Sequence, residues 1–205
     1  MYHFKTILTA ILFITALEIP LIARSEAIFT ISSPDFKDGD ALSKNNEFSG
    51  FGCSQVLLGP YDICSSSNNR FEGLNCNGKN IAPTIRWNDP PENTKSFALT
   101  VYDPDMPTGG GWWNFVVYNI PRNIREVKNG KIPQGATTIT NDSTTKYYMG
   151  PCPPIGDKPH RYIFTIYALD RNIDLPSTTT PGLAAYMINR YKIASATMSA
   201  TYARK

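Results

Sequence analysis

Three extended segments, separated by loops rich in proline and glycine, most constrain how this chain can fold. They cover residues 97–103, 112–120 and 162–169. Side chains alternate along the first segment, so one face of a predicted strand carries Phe97, Leu99, Val101 and Asp103. The loop at 150–159 has four prolines in ten positions, and no helix or central strand can run through it. The pattern predicts β-strands joined by irregular loops.

The remaining segments complete a mainly β prediction. Short strands are expected at 28–32, 81–87 and 197–203, with another ending at Tyr147 and Tyr148. The one expected helix covers residues 181–191, with Thr180 as its N-cap and Pro181 in its first turn. Helices and strands do not alternate, and 205 residues suit one domain. We therefore predict two packed antiparallel sheets, a Greek-key β-sandwich, with a short C-terminal helix.

The first 27 residues have the three-part layout of a secretory signal peptide. Lys5 precedes an apolar run at 6–17, and Ser25 and Ala27 are the small residues that a signal peptidase reads. The run is shorter than the roughly 20 residues of a membrane span. We expect cleavage after Ala27, leaving a periplasmic or secreted domain at 28–205 without an integral membrane span. An uncleaved membrane anchor is the alternative.

Export decides how the four cysteines are interpreted: Cys53, Cys64, Cys76 and Cys152. An even number of cysteines entering an oxidising compartment indicates disulfides, and four cysteines allow three pairings. Three of the four lie in a long loop at 50–80. Zinc binding is the alternative, although spacings of 11, 12 and 76 residues include no C-x-x-C unit.

Charge and histidine content exclude several classes of function. The net charge of +3 comes from scattered lysines and arginines, whereas nucleic-acid-binding proteins cluster them on one face. His160 is the only histidine left after signal cleavage, which excludes a metal centre built from several histidines. We therefore expect no nucleic acid, metal or cofactor.

Three catalytic arrangements are conceivable in this chain. A Ser-His-Asp triad could use His160 and Asp103, but the chain lacks the G-x-S-x-G turn of a serine nucleophile. A Cys152–His160 pair would need a free thiol, which a disulfide removes. Asp103 and Asp105 could be the paired acids of a glycosidase. A proline-bracketed DPD is more simply interpreted as a turn, with Asp105 pairing with Arg161.

Three motifs, in fixed order, carry a family resemblance. They are DPDMP at 103–107, GWWNFVVYNIP at 111–121 and GPCPPIGDKPHRY at 150–162. Together they resemble the two signature regions of the phosphatidylethanolamine-binding protein family, in its bacterial, Raf kinase inhibitor-like branch, which includes exported members. The resemblance extends over residues 28–205 and implies two packed antiparallel sheets with a short C-terminal helix.

The resemblance also implies a small pocket that accepts phosphate-like groups. His160 and Tyr162 are two positions apart on a strand and therefore face one side, as do Trp112 and Asn114. Histidine and tyrosine donate hydrogen bonds to anions, and a tryptophan ring supplies a flat wall. Asp103 would repel an anion, so we expect it to orient a donor or to be protonated. The implied lining is Asp103, Trp112, Asn114, Pro153, Pro154, His160 and Tyr162, flanked by Met106, Pro107 and Pro159.

One lining position departs from the family pattern. The family usually has a histidine where this chain has Asn114. Asparagine donates a hydrogen bond but cannot carry a positive charge. The departure predicts a weaker anion site, or one that takes a different ligand.

The predicted function is binding of a small anion or a phospholipid head group, without catalysis. Inhibition of a partner protein, of the kinase or protease type, is the second hypothesis, and weak hydrolysis is the third. Exported relatives carry one cysteine in a motif like F-G-C-x-x-x-N and one in the CPP loop, here residues 152–154. Cys76 matches the first motif by the residues that follow it, whereas Cys53 matches it by those that precede it. On the first match the resemblance implies a Cys76–Cys152 disulfide. Residues 54–75 then resemble an insertion, which a Cys53–Cys64 disulfide would close.

Overall fold

A computed structural model of the protein describes residues 27–50 and 76–204. The strands and the helix in these ranges are β1 (Thr30–Ser32), β2 (Ile85–Asn88), β3 (Ser96–Asp103), β4 (Trp112–Pro121), β5 (Glu126–Val127), β6 (Thr137–Thr138), β7 (His160–Leu169), α1 (Pro181–Tyr191) and β8 (Lys192–Tyr202). A short 3-10 turn, Lys128–Gly130, follows β5. The predicted signal peptide up to residue 26, the insertion and the Cys53–Cys64 disulfide lie outside the described residues.

Two antiparallel sheets pack face to face, as the sequence predicts. One has the strand order β1-β2-β5, and the other has the order β6-β4-β3-β7-β8. In the larger sheet β7 returns beside β3, which gives β7-β3-β4-β6 the order of a Greek key. β8 then pairs with β7 along its whole length. The consecutive pairing of β4 with β3 and β3 with β7 brings the end of β3 beside the starts of β4 and β7.

Alternation along the strands divides the apolar side chains between two cores. Phe97, Leu99 and Val101 of β3 pack between the two sheets, as their shared face predicts. Ala98, on the opposite face, packs in a second core that includes Ile188 of α1. Both faces of β3 are therefore covered, and burial of each large apolar side chain contributes about 1.5–3 kcal/mol.

Local signals define α1. The helix covers the predicted residues, Pro181–Tyr191, and the Thr180 hydroxyl accepts a hydrogen bond from the Leu183 N–H at 3.3 Å. Proline at the first helical position costs nothing, because the N–H that it lacks would have no partner within the helix. Within the described part of the chain, no helix has the length and apolar character needed to cross a membrane.

Several details differ from the sequence prediction, among them the starts of β1 and β2, which are at Thr30 and Ile85 and not at 28 and 81. Tyr147 and Tyr148 end no strand; the segment instead runs beside β4, where the Met149 N–H donates to the Asn114 carbonyl at 3.0 Å. β5 and β6 have two residues each, too few for any alternation to be detected. β8 begins at Lys192 and not at 197, because it is defined by its pairing with β7 and not by local propensity.

Candidate functional site

A disulfide joins Cys76 to Cys152 and confirms the pairing that the family resemblance implies. It packs against Phe48 and Met149, with Trp112 at its edge. Because these two cysteines are bonded to each other, neither thiol can bind zinc, and Cys152 cannot form a catalytic pair with a histidine. The disulfide instead fixes the CPP loop against the segment that follows residue 75.

Hydrogen bonds around a buried glutamate hold the same segment. Glu47 is 1% exposed, accepts from the Asn77 N–H at 2.9 Å and accepts from the Tyr202 hydroxyl at 2.5 Å. Asn80 accepts from the Gly150 N–H at 2.7 Å through its side-chain oxygen. Residues before the insertion, after it and on β8 therefore meet beside the disulfide.

Asp103, at the end of β3, contacts several other residues of the site through its carboxylate. Its Oδ1 accepts from the backbone N–H groups of Asp105 and Met106 at 2.9 and 3.1 Å, which shapes the DPDMP turn. Its Oδ2 lies 2.8 Å from Nδ1 of His160, and the Tyr162 hydroxyl also donates to the carboxylate. Asp103 is 3% exposed, and its contact with Nδ1 places it where it could orient the histidine, one of the two roles that the sequence predicts for it.

His160, the first residue of β7, contacts a carboxylate at each ring nitrogen. Nδ1 faces Asp103, and Nε2 lies 3.3 Å from Oδ2 of Asp157. Ionised carboxylates only accept hydrogen bonds, so both contacts are hydrogen bonds only when the ring is doubly protonated and charged. The His160 side chain is 4% exposed, whereas that of Asp157 is 41% exposed. A carboxylate oxygen at the rim thus occupies the position where an anion would meet Nε2.

Tyr162 lies two residues further along β7 and is fully buried. Burial, reinforced by the neighbouring Asp103 carboxylate, raises the pKa of its phenol far above the ordinary value. The hydroxyl therefore stays protonated and donates to Asp103, while its oxygen accepts from the Cys152 N–H. Tyr162 therefore connects Cys152 of the CPP loop to Asp103.

A β-bulge changes the geometry at the start of β4. The pairing with β3 passes from Phe115 to Trp113 and skips Asn114. The regular alternation predicted for Trp112 and Asn114 is therefore broken at this point. Both residues nevertheless reach Met149: Trp112 packs in the cluster that contains it, and Asn114 Nδ2 donates to its carbonyl at 3.0 Å.

Only one of the two polar atoms of the Asn114 side-chain amide has a hydrogen-bond partner among the described residues. Its Oδ1 is buried and has no hydrogen-bond partner among the described residues. The orientation of the amide is determined by its neighbour, because the reversed amide would set Oδ1 against the Met149 carbonyl oxygen. The sequence assigns the Asn114 amide donor to an anion, whereas the structure directs it to the Met149 carbonyl. The atom of Asn114 that lacks a partner is Oδ1, a hydrogen-bond acceptor.

Asp105 and Arg161 form the predicted ion pair on the outer side of the site. Arg161 donates from Nε at 2.9 Å, from Nη2 at 2.7 Å and from its backbone N–H at 2.8 Å. Hydrogen bonds from the guanidinium lower the pKa of Asp105 to about 2. The pair ties the DPDMP turn to β7 and leaves Asp105 unsuited to be one of two glycosidase acids.

The proline-rich loop forms the rim. Pro153 is buried, and its carbonyl accepts from Nε of Arg204 at 2.6 Å. The Pro154 carbonyl accepts from the Asp157 N–H at 3.3 Å, with Gly156 at a φ of 92° inside this turn. Of the predicted flanking residues, Met106 is half-buried, whereas Pro107 and Pro159 are exposed.

Two neighbours of the site are absent from the sequence prediction, Asp157 and Arg204. Asp157 lies inside the third motif, and its spacing of three residues from the histidine was the available signal. Nothing in the sequence near Arg204 relates it to Pro153, 51 positions earlier. In the described ranges, no group of three histidine, cysteine, aspartate or glutamate side chains is placed to hold a metal ion.

One protein with a related sequence is described as a putative lipoprotein. A stretch of 129 residues is 33% identical to the putative lipoprotein LppC of Mycobacterium tuberculosis and covers 63% of each chain. Disulfides persist in oxidising compartments, so the Cys76–Cys152 bond is compatible with the export that the sequence predicts.

Two proteins of Escherichia coli K12 are similar over most of the chain. YbcL is 38% identical over 184 residues, covering 86% of this chain and 88% of its own, and YbhB is 35% identical over 177 residues, covering 83% and 97%. The crystal structure of YbcL, described as a member of the mammalian PEBP family, superposes with a TM-score of 0.72 at 37% identity and covers 87% of this chain and all of that one. A sequence model described as phosphatidylethanolamine-binding protein matches residues 32–203. The fold, the motifs and these matches agree, and the chain belongs to the phosphatidylethanolamine-binding protein family.

Proposed function

We propose that this chain is a periplasmic or secreted binding protein that holds a phosphate-like anionic group at His160, without catalysing a reaction. The observation that carries the proposal is the contact between Nε2 of His160 and the Asp157 carboxylate at 3.3 Å. An anionic oxygen already sits there, so the ring nitrogen is accessible to an acceptor at the rim. Inorganic phosphate and the phosphate of a phospholipid head group offer the same chemistry.

The position of Asp103 supports this role. A carboxylate at Nδ1 holds the imidazole in one orientation, which turns Nε2 towards the rim, where a protonated ring donates from Nε2–H. Charge-assisted hydrogen bonds of this kind are about twice as strong as neutral ones. The name of the family adds the phospholipid head group as a specific candidate ligand.

The contacts of the potential catalytic groups favour binding over catalysis. Cys152 is in a disulfide, so its sulfur is not a free nucleophile for His160 to activate. Asp105 is paired with Arg161 and is not free to act as the second acid of a glycosidase.

Calorimetry tests the proposal with inorganic phosphate and with phosphoethanolamine, using wild type, His160→Ala and His160→Gln. We expect His160→Ala to lose at least about tenfold in affinity, because a charge-assisted hydrogen bond is removed. His160→Gln, which keeps a neutral donor, should fall between the two. Equal affinities in wild type and His160→Ala would contradict the site.

The two ligands distinguish the source of the anion. Tighter binding of phosphoethanolamine points to a lipid head group, and equal binding points to phosphate itself. Weak hydrolysis is tested in parallel with a chromogenic phosphate ester. Turnover by the wild type that disappears in His160→Ala would contradict the non-catalytic assignment.

A further inference from the structure

We infer that Asp157 is an internal competitor for the anion site, so that its carboxylate must leave His160 before a ligand can bind. The inference rests on the proposed function and names the residue that sets ligand affinity. It starts from a difference between the two carboxylates that contact the His160 ring. Oδ2 of Asp103 lies 2.8 Å from Nδ1, whereas Oδ2 of Asp157 lies 3.3 Å from Nε2.

The Asp103 carboxylate cannot be displaced without breaking the turn. It is buried and also receives hydrogen bonds from two backbone N–H groups and from Tyr162. The Asp157 carboxylate, by contrast, is partly exposed and weakly held. Its side chain is 41% exposed, and His160 is the one hydrogen-bond or ion-pair partner of its carboxylate among the described residues.

Asp157 lies on an exposed turn. Gly156, Lys158 and Pro159 are exposed, and Ile155 is 64% exposed. The Asp157 carboxylate therefore borders solvent, and ion pairs with an exposed member are weak.

Charge gives a second reason why Asp157 opposes an anion. Three carboxylates lie near the ring, and that of Asp105 is paired with Arg161. The Asp157 carboxylate has His160 as its one ion-pair partner among the described residues. An incoming anion therefore meets an occupied donor and the negative charge of the group that occupies it, and Asp157→Asn removes that charge.

The opposite interpretation makes the opposite prediction. If Asp157 mainly held the ring in its binding orientation, its removal would weaken anion binding. If Asp157 competes, its removal strengthens binding. The sign of the change therefore decides between the two roles.

Asp157→Asn tests the inference by calorimetry with inorganic phosphate at low salt. We expect its affinity to exceed that of the wild type by about fivefold or more, from the lost exposed pair and the lost repulsion. Asp170→Asn is the matched control: it removes the same charge from a side chain that is 39% exposed, just beyond the opposite end of β7. Asp170→Asn should bind phosphate as the wild type does.

A spectroscopic readout follows the contact itself. The 15N signals of the His160 ring, recorded at one pH, should shift in Asp157→Asn and stay in place in Asp170→Asn. Unchanged ring signals in Asp157→Asn would show that the contact is absent in solution and would overturn the inference.

The outcomes separate this inference from the proposed function. Phosphate binding that survives His160→Ala contradicts the proposed site. Binding that requires His160 but is unchanged or weakened in Asp157→Asn contradicts the competitor role alone. Binding seen only in Asp157→Asn supports both, and the absence of binding in both forms overturns both.

Discussion

Asp103 and His160 are 57 residues apart in sequence, yet Oδ2 of the aspartate lies 2.8 Å from Nδ1 of the histidine, with each side chain 4% exposed. This buried contact joins the end of β3 to the start of β7. It also couples the geometry of the DPDMP turn to the orientation of the ring. Stability and ligand binding are therefore expected to depend on the same carboxylate.

Replacement of Asp103 by Asn is expected to lower the free energy of unfolding by about 2–4 kcal/mol. The amide keeps the shape of the side chain but loses the charge that pairs with His160. Urea denaturation measures the change, and Asp170→Asn at the surface should stay within about 0.5 kcal/mol of the wild type. A loss equally small in Asp103→Asn would show that the pair does not stabilise the fold.

Asn114→His is expected to raise phosphate affinity about tenfold near pH 6, with a smaller gain near pH 8. One ring nitrogen can replace the amide donor to the Met149 carbonyl, while the other offers a ligand a donor that becomes charged at the lower pH. Calorimetry on both forms at both pH values measures the gain. If no gain appears at the lower pH, charge at position 114 does not govern binding.

Removal of the Cys76–Cys152 disulfide by double substitution to alanine is expected to cost about 2–4 kcal/mol of stability. The bond closes a long loop and anchors the CPP segment beside Tyr162. Thermal and urea denaturation, with the Cys53→Ala, Cys64→Ala double variant as the comparison, measure the loss. Non-reducing peptide mapping that joins Cys53 to Cys152 would overturn the pairing.

Asp105→Asn is expected to remove stability at neutral pH but not in strong acid. The pKa of Asp105 is lowered, so its ion pair stabilises the fold above the ordinary aspartate pKa near 3.9 and is lost as the pH falls through about 2. Arg161 is 59% exposed, so solvent screening keeps the effect at neutral pH small.

Melting curves of the wild type and Asp105→Asn between about pH 7 and about pH 2 check this dependence. The two curves should converge as the pH falls, and added salt should narrow the gap at neutral pH. A gap that is constant across this range would show that the effect of Asp105 does not come from its charge.

The sequence by itself determined the elements whose signals are local. The alternation of Phe97, Leu99 and Val101 predicted a strand with one face in the core, and Thr180 with Pro181 predicted the start of the helix. Each of these signals lies within a single strand or helix, because side-chain alternation and helix capping depend on residues only a few positions apart. The pairing of Asp105 with Arg161 and the Cys76–Cys152 bond were also predictable, the latter only through the family resemblance.

Tertiary structure alone decided the contacts that depend on how strands register. The bulge at Asn114 directs an amide hydrogen to Met149 and leaves Oδ1 without a partner, against the simple two-residue alternation. Nε of Arg204 reaches the Pro153 carbonyl, 51 positions earlier, only because the end of the chain packs against the proline-rich loop. Hydrogen bonds between distant segments are set by packing, and packing is a property of the whole chain, which no short pattern encodes.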